Sequence, residues 1–306
     1  MKKRRRKFFP DEAVHVYQRA VHGHNLFYSL EDRLVFVTVF YHFSRKWNIK
    51  VLGLCMMVDH VHGLFISDSR KTMSSFVNSY SSMYAKLFNA SCGRKGQLFA
   101  KSFGSAPKVG AKKTRTTITY LFNNPVEKHM CFRAEDYRWN FLAYGRSSHP
   151  FSEPVHKKSR NLAYAMKEVQ SFHERDMYLT YNVLRRLMKK LTDREVEQLT
   201  DYIMSLYNPV DYDVLLEYFE SYESMVIVVN SNTGSEYDIH EEFNPYSDNI
   251  YEQISALVKQ KMNLEAKDLL ARTVEEKIEA AKLIKMHMNV TNRQLCKFLH
   301  LICEDL

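Results

Sequence analysis

Hydrophobic and polar positions in the first half of the chain switch between two periods. Ala13-Val14-His15-Val16-Tyr17-Gln18-Arg19-Ala20 alternates and predicts a strand, which His22-Gly23-His24-Asn25 breaks. Ser29 followed by Glu31-Asp32 predicts a capped helix that runs to about Trp47. Val51 to Met57 predicts a second strand, Val58-Asp59 a turn or bulge, and His60 to Ile66 a third strand. Met73, Phe76, Val77, Tyr80, Met83, Tyr84, Leu87 and Phe88 recur at three- and four-residue steps, an amphipathic helix over 73–89. After the basic turn Gly93-Arg94-Lys95-Gly96, Gln97 to Phe103 predicts a fourth strand and Gly104 to Lys113 a basic loop containing Pro107. Thr114 to Asn123 predicts a helix stopped by Pro125. Strand, helix, strand, strand, helix, strand, helix is a split βαβ, ferredoxin-like order with one added helix, an α+β fold with an antiparallel sheet.

The pattern changes after Tyr144-Gly145-Arg146-Ser147-Ser148-His149-Pro150. Residues 159–223 predict several helices, with one apolar stripe at Leu184, Leu187, Met188 and Leu191 and another at Leu199, Tyr202, Ile203 and Leu206. Asn230 to Asn249 is rich in Ser, Asn and Asp and predicts a loop; Glu252 to Ala271 is helical again. Glu275 to Met288 and Thr291 to Leu299 predict a helix pair. Thr291-Asn292-Arg293-Gln294-Leu295 has the capped polar start found in helix-turn-helix modules. The chain stops at Leu306, so 275–303 predicts a partial helix-turn-helix or a hairpin used for packing.

Charge sharpens this division. Residues 1–150 carry 25 Lys and Arg against 9 Asp and Glu, whereas residues 151–306 carry 19 against 26. The boundary drawn from this is 1–150 and 151–306, with a polyanion partner assigned to the first part. The basic start Lys2-Lys3-Arg4-Arg5-Arg6-Lys7 has no apolar segment behind it, so it predicts a solvated tail or a phosphate-binding arm, not a secretory signal. No apolar run approaches the roughly 18 residues of a membrane span. Cys55, Cys92, Cys131, Cys296 and Cys303 are odd in number and none are C-x-x-C spaced, which fits a reducing cytoplasm.

Two local patterns carry candidate chemistry. His60 and His62 flank Val61 on a predicted strand, so both imidazoles share one face. Such a pair is half of a metal site, or a strand with two partly exposed histidines. Tyr120 and Asn124 are four apart on a predicted helix and also share a face. A tyrosine beside a divalent metal and a phosphate can act as a nucleophile, and an amide oxygen can complete a ligand set.

H-x-H after an apolar strand, then the basic segment Gly93 to Phe103, then Tyr120-x-x-x-Asn124-Pro125-Val126 resembles the single-tyrosine HUH transposases. These are also called insertion-sequence 200-like transposases, and the nearest branch is the REP-associated tyrosine transposases. The resemblance covers about residues 10–145. It departs from the family at Met57-Val58-Asp59, where Met-Pro-Asn is common, and at Phe99-Ala100, where a Trp-Gln pair is usual.

The resemblance implies a ferredoxin-like HUH nuclease domain that cuts and rejoins single-stranded DNA, at hairpins, through a 5′-phosphotyrosine. Tyr120 matches the nucleophile, and His60, His62 and Asn124 match the ligands of Mg²⁺ or Mn²⁺. It further implies a bacterial, DNA-associated cytoplasmic protein, no membrane, and often a homodimer. Arg19, Arg94, Lys95, Lys101, Lys108, Lys112, Lys113 and Arg115 are the candidate phosphate contacts, and Tyr17, Phe99 and Phe103 the candidate base-stacking platforms. Two rivals stand beside this expectation: a non-catalytic DNA-binding protein on the same fold, and a zinc hydrolase, which no third His or Cys at a usual spacing supports.

Overall fold

A computed structural model describes residues 7–100, 102–231 and 249–302. Lys2 to Arg6, Lys101, most of the Asn230–Asn249 stretch and Cys303 lie outside the described residues. Four strands, β1 (Ala13–Arg19), β2 (Lys50–Met56), β3 (His60–Ile66) and β4 (Gly104–Lys108), form one antiparallel sheet in the order β2-β3-β1-β4. Helix α1 (Leu30–Lys46) joins β1 to β2, α2 (Arg70–Cys92) joins β3 to β4, and α3 (Ala111–Glu127) follows β4. This is the expected ferredoxin-like order with one added helix.

Local chemistry sets the ends of these helices. Ser29 and Asp32 form a reciprocal capping box at the start of α1. Ser69 caps α2, which ends where Gly93 turns left-handed at φ 70°. One face of the sheet packs on α1 and α2 through Phe36, Phe40, Phe65, Phe76 and Tyr80, whose neighbouring rings lie 5.0–6.0 Å apart. The other face packs on α3. At Gly53 of β2 an added Cβ would lie 3.1 Å from Leu121 of that helix, so the close approach there favours glycine.

Two expectations shift. The fourth strand is not Gln97–Phe103 but the glycine- and proline-bearing segment read as a loop, with Ala13 opposite Lys108 and Tyr17 opposite Gly104. Pro107 lacks a ladder donor and is tolerated because β4 is an edge strand. Leu98 and Ala100 still bond β1's end, through Val21 N–H to the Leu98 carbonyl and Ala100 N–H to the Arg19 carbonyl. Helix α3 begins three residues earlier than expected and runs two residues past Pro125. A proline one turn from a helix end forfeits a single backbone bond, so the last turn survives it.

Five helices follow: α4 (Arg160–Glu174), α5 (Tyr181–Met188), α6 (Asp193–Leu206), α7 (Tyr212–Leu216) and α8 (Tyr222–Asn230). They share one apolar core with the sheet, running from Ala13 to Val229 and joined by Leu270. The change of charge at 150 is thus a property of the surface and does not interrupt that core. Val210 forms a parallel bridge to Val51, and Asp211 N–H bonds the Val51 carbonyl, which covers the outer edge of β2.

The remaining helices, α9 (Ile250–Met262), α10 (Val274–His287) and α11 (Asn292–Leu299), build a second, smaller core that includes Val58 of the β2–β3 turn. The helix expected over 252–271 is split: Asn263 turns left-handed at φ 53° and a short 3-10 turn spans Ala266–Ala271. In α11, Leu295, Cys296, Phe298 and Leu299 are buried. The α10–α11 pair therefore lays its second helix against the sheet domain. No helix among the described residues is long and apolar enough to cross a membrane.

Candidate active site

His60 and His62 stand on the face of β3 that looks toward α3, and Val61 points into the α1–α2 core. Their rings are 4.8 Å apart and perpendicular. Register on β1 places Arg19 opposite His60 and Tyr17 opposite His62. Across from β3, helix α3 presents Tyr120 edge-on to His62, with 5.7 Å between ring centroids. Asn124 lies one turn further and donates from Nδ2 to the Tyr120 hydroxyl at 3.1 Å. Two strand residues and two helix residues, separated by some sixty positions in sequence, are thus brought together.

A third histidine enters that sequence reasoning missed. His15, on the same face of β1, stacks on His62 at 5.2 Å and places its Nε2 3.0 Å from His62 Nδ1. It also meets Tyr120 edge-on at 6.0 Å. One proton between two neutral imidazoles satisfies that contact, and it fixes which His62 nitrogen faces away from His15. The signal was present in the alternation of β1, which puts His15 on one face with Tyr17 and Arg19. The antiparallel register to β3, which makes His15 a neighbour of His62, is not written in either strand alone.

Asp59, singled out in the sequence as a departure from the family pattern, has a definite place here. Its Oδ1 meets His60 Nδ1 at 2.5 Å and its Oδ2 accepts from Lys297 Nζ at 2.6 Å. Burial raises the Asp59 pKa, but the charges and hydrogen bonds of His60 and Lys297 outweigh it and hold the carboxyl well below its usual range. An ionised carboxylate only accepts, so His60 donates to it from Nδ1, and Nε2 is the nitrogen turned away from Asp59.

The fit of a divalent metal rests on this donor set. The Asn124 Oδ1 is buried without a hydrogen-bond partner among the described residues, as an acceptor reserved for a cation would be. His60 and His62 stand on the face of β3 that looks toward α3, with His62 5.7 Å from the Tyr120 ring to which Asn124 donates. Among the described residues no group of three or more His, Cys, Asp or Glu is arranged to hold a metal. Two imidazoles and one amide oxygen lie outside that description, and they leave coordination positions for substrate oxygens, as Mg²⁺ and Mn²⁺ sites do.

The basic candidates divide. Arg19, Lys95, Lys112, Lys113 and Arg115 are exposed, and Lys113 lies two turns before Tyr120 on the same side of α3. Lys108 is half-buried on β4, and Lys101 lies outside the described residues. Arg94 is committed internally, donating to His300 Nδ1, Asn89 Oδ1 and the Gln97 carbonyl. Of the aromatics, Phe99 and Phe103 are core residues, whereas Tyr17 is 40 % exposed. Its ring lies where a Cβ on Gly104 would stand, 1.9 Å from that position, so glycine at 104 makes its seat.

Residues 3–124 match the family described as Transposase IS200 like. Over this segment, 122 of the 306 residues, the sequence is similar to the IS200-like transposases. The description of that family points to DNA as the class of partner and to transposition as the class of activity for the matched segment. The matched segment covers the sheet, α1, α2 and most of α3; the helices beyond it fall outside the match. No curated protein matches the chain. A solved structure described as the REP-associated tyrosine transposase bound to a REP hairpin is similar at 13% identity and a TM-score of 0.41, covering 52% of this chain and 96% of that one.

Proposed function

We propose that the chain cleaves and rejoins single-stranded DNA beside hairpins formed by inverted repeats, through a 5′-phosphotyrosine intermediate on Tyr120. The observation that carries this reading is the meeting of Tyr120 and Asn124 with His62 and His60 across β3 and α3. In the cleavage step the Tyr120 oxygen bonds phosphorus as the bond from phosphorus to the 3′ oxygen breaks. A proton leaves Tyr120 and one is gained by the departing 3′ oxygen. The reverse attack by a 3′-hydroxyl restores Tyr120, so no nucleotide cofactor is consumed. A divalent metal held by His60, His62 and Asn124 would polarise the phosphoryl oxygen and keep the scissile bond in line.

The chain's own residues supply the rest. Asn124 donates to the Tyr120 oxygen and so favours the negative charge that grows there as the proton leaves. Exposed Arg19, Lys95, Lys112, Lys113 and Arg115 neutralise phosphates. Tyr120 is 2 % exposed, so attack on a phosphate requires the surface over α3 to open when DNA binds. Residues 1–150 act as the nuclease module and 151–306 as its helical extension. All four site groups come from one chain, so a homodimer would be an assembly of complete sites.

The test is a covalent adduct. Labelled single-stranded DNA carrying the inverted repeats that flank the gene is incubated with Mn²⁺ and the protein, then separated in denaturant. A denaturant-stable protein–DNA species is expected, lost in Tyr120→Phe while DNA binding persists. DNA binding with no adduct would favour a non-catalytic DNA-binding protein on this fold, and an adduct in Tyr120→Phe would mean another nucleophile.

A further inference from the structure

We propose that Lys297, carried by α11 of the carboxy-terminal extension, is a positioning residue for the metal-binding edge of the sheet, acting on His60 through Asp59. The inference rests on the reading of His60 as a metal ligand. The three side chains form a line: Lys297 Nζ to Asp59 Oδ2 at 2.6 Å, then Asp59 Oδ1 to His60 Nδ1 at 2.5 Å. All three are largely shielded from water, with side-chain exposures of 18, 20 and 9 %. A carboxylate on the far nitrogen of a ligating imidazole fixes its tautomer and raises its basicity. That carboxylate must itself be held, and here the holder comes from a helix 238 positions away in sequence.

The backbone around the line is pinned as well. Ala20 N–H bonds the Asp59 carbonyl at 3.0 Å and Leu26 N–H bonds the Val58 carbonyl at 2.7 Å, which fixes the turn before His60. On the other side, Asn25 N–H bonds the Lys297 carbonyl at 3.0 Å and the Tyr28 hydroxyl bonds the Phe298 carbonyl at 2.6 Å. Val58 packs into the apolar core made by α9, α10 and α11. The segment 24–28 therefore lies between the β2–β3 turn and α11 and is bonded to both. Asp59 brings two acceptor oxygens, one for His60 and one for Lys297, and a charge for the lysine to neutralise. The carboxylate and the lysine that holds it read as one device, assembled from both ends of the chain.

A salt bridge that merely fastened α11 would alter stability and leave metal binding alone, so the experiment reads metal directly. Mn²⁺ alone, without DNA, is titrated into the full-length protein and followed calorimetrically, with His60→Gln as the control that defines the site. Lys297→Met, which keeps the apolar stem, is expected to weaken Mn²⁺ binding by about tenfold. Lys297→Arg, which restores the charge, is expected to lie much closer to the wild type. Because the effect runs through Asp59, the double variant Asp59→Asn/Lys297→Met is expected to bind no more weakly than Asp59→Asn. Wild-type binding with an unchanged Lys297→Met, or additive losses in the double variant, overturns this inference alone. A wild type whose Mn²⁺ uptake ignores His60→Gln overturns the metal-site reading and this inference with it. If Lys297→Met does not fold, the nitrogen spectrum of His60 in the wild type decides: Nδ1–H at neutral pH supports the relay and Nε2–H overturns it.

Discussion

At the scale of single residues, the side chain at position 17 has the clearest consequence. Tyr17 is exposed, stands opposite His62 in register, and rests on the bare backbone of Gly104. An aromatic ring so placed beside a strand-cleaving site offers an unpaired base a stacking surface. Removing such a platform costs about 1–3 kcal/mol per base. Tyr17→Ala should therefore weaken binding of a single-stranded hairpin substrate by roughly fivefold to a hundredfold, with Tyr17→Phe close to wild type, both read by fluorescence anisotropy without metal. Equal affinity in Tyr17→Ala would remove the ring from the DNA path. Much of this neighbourhood was legible in the sequence because it is local. A spacing of two on a strand and of four on a helix each fixes a shared face, so His60 with His62, and Tyr120 with Asn124, were visible as pairs. His15 was not, since its partner is set by strand register. Nor could the sequence separate Arg94, which serves Asn89, Gln97 and His300, from the exposed bases near it.

At the scale of elements, strong periodicity placed α1, α2 and the first three strands, and the failures occurred where propensity was outvoted. Residues 104–108 carry glycine and proline, yet they pair as β4 because an edge strand needs bonds on one side alone. The extension's grip on α1 was equally hidden. Asp32 caps that helix, and its Oδ1 also accepts from the Tyr181 hydroxyl and from Lys267 Nζ, each at 2.6 Å. Lys267 lies 4.0 Å from the Tyr181 ring centroid and 4.4 Å from that of Phe88. Asp32 is fully buried, so removing its cation leaves an uncompensated charge, a loss of about 3–5 kcal/mol in comparable pairs. Lys267→Met should lower the free energy of urea unfolding by that order. Asp32→Asn/Lys267→Met should recover a large part of it, because no buried charge is then stranded. A double variant as unstable as the single one would show that packing of the lysine stem, not charge, accounts for the loss.

At the scale of the whole molecule, the basic and acidic halves meet along a seam that is itself sensitive to acid. His24 of the sheet domain stacks on His300 after α11 at 4.3 Å, with Arg94 and Lys277 nearby. Burial is the main cause that pushes the His24 pKa down to about 4, with the charges of His22, Arg94 and Lys277 adding to it and a hydrogen bond to the Leu301 carbonyl opposing it. Burial likewise depresses His300, and the charge of His24 comes next. In the unfolded chain both would titrate near 6.5. Below that pH the unfolded state binds protons that the folded state refuses, so stability is full above about pH 6.5 and is lost as pH falls toward 4. For His24 alone the loss by pH 4.5 is about 2 kcal/mol. Wild type should therefore lose at least that much more unfolding free energy between pH 7.5 and 4.5 than His24→Gln/His300→Gln does, measured by urea denaturation at each pH. Identical losses would place the acid sensitivity elsewhere. Since α11 also carries Lys297, loosening of this seam in acid should reach the sheet edge at Asp59 before the main core opens, and hydrogen exchange of the Asn25 and Leu26 amides would report it.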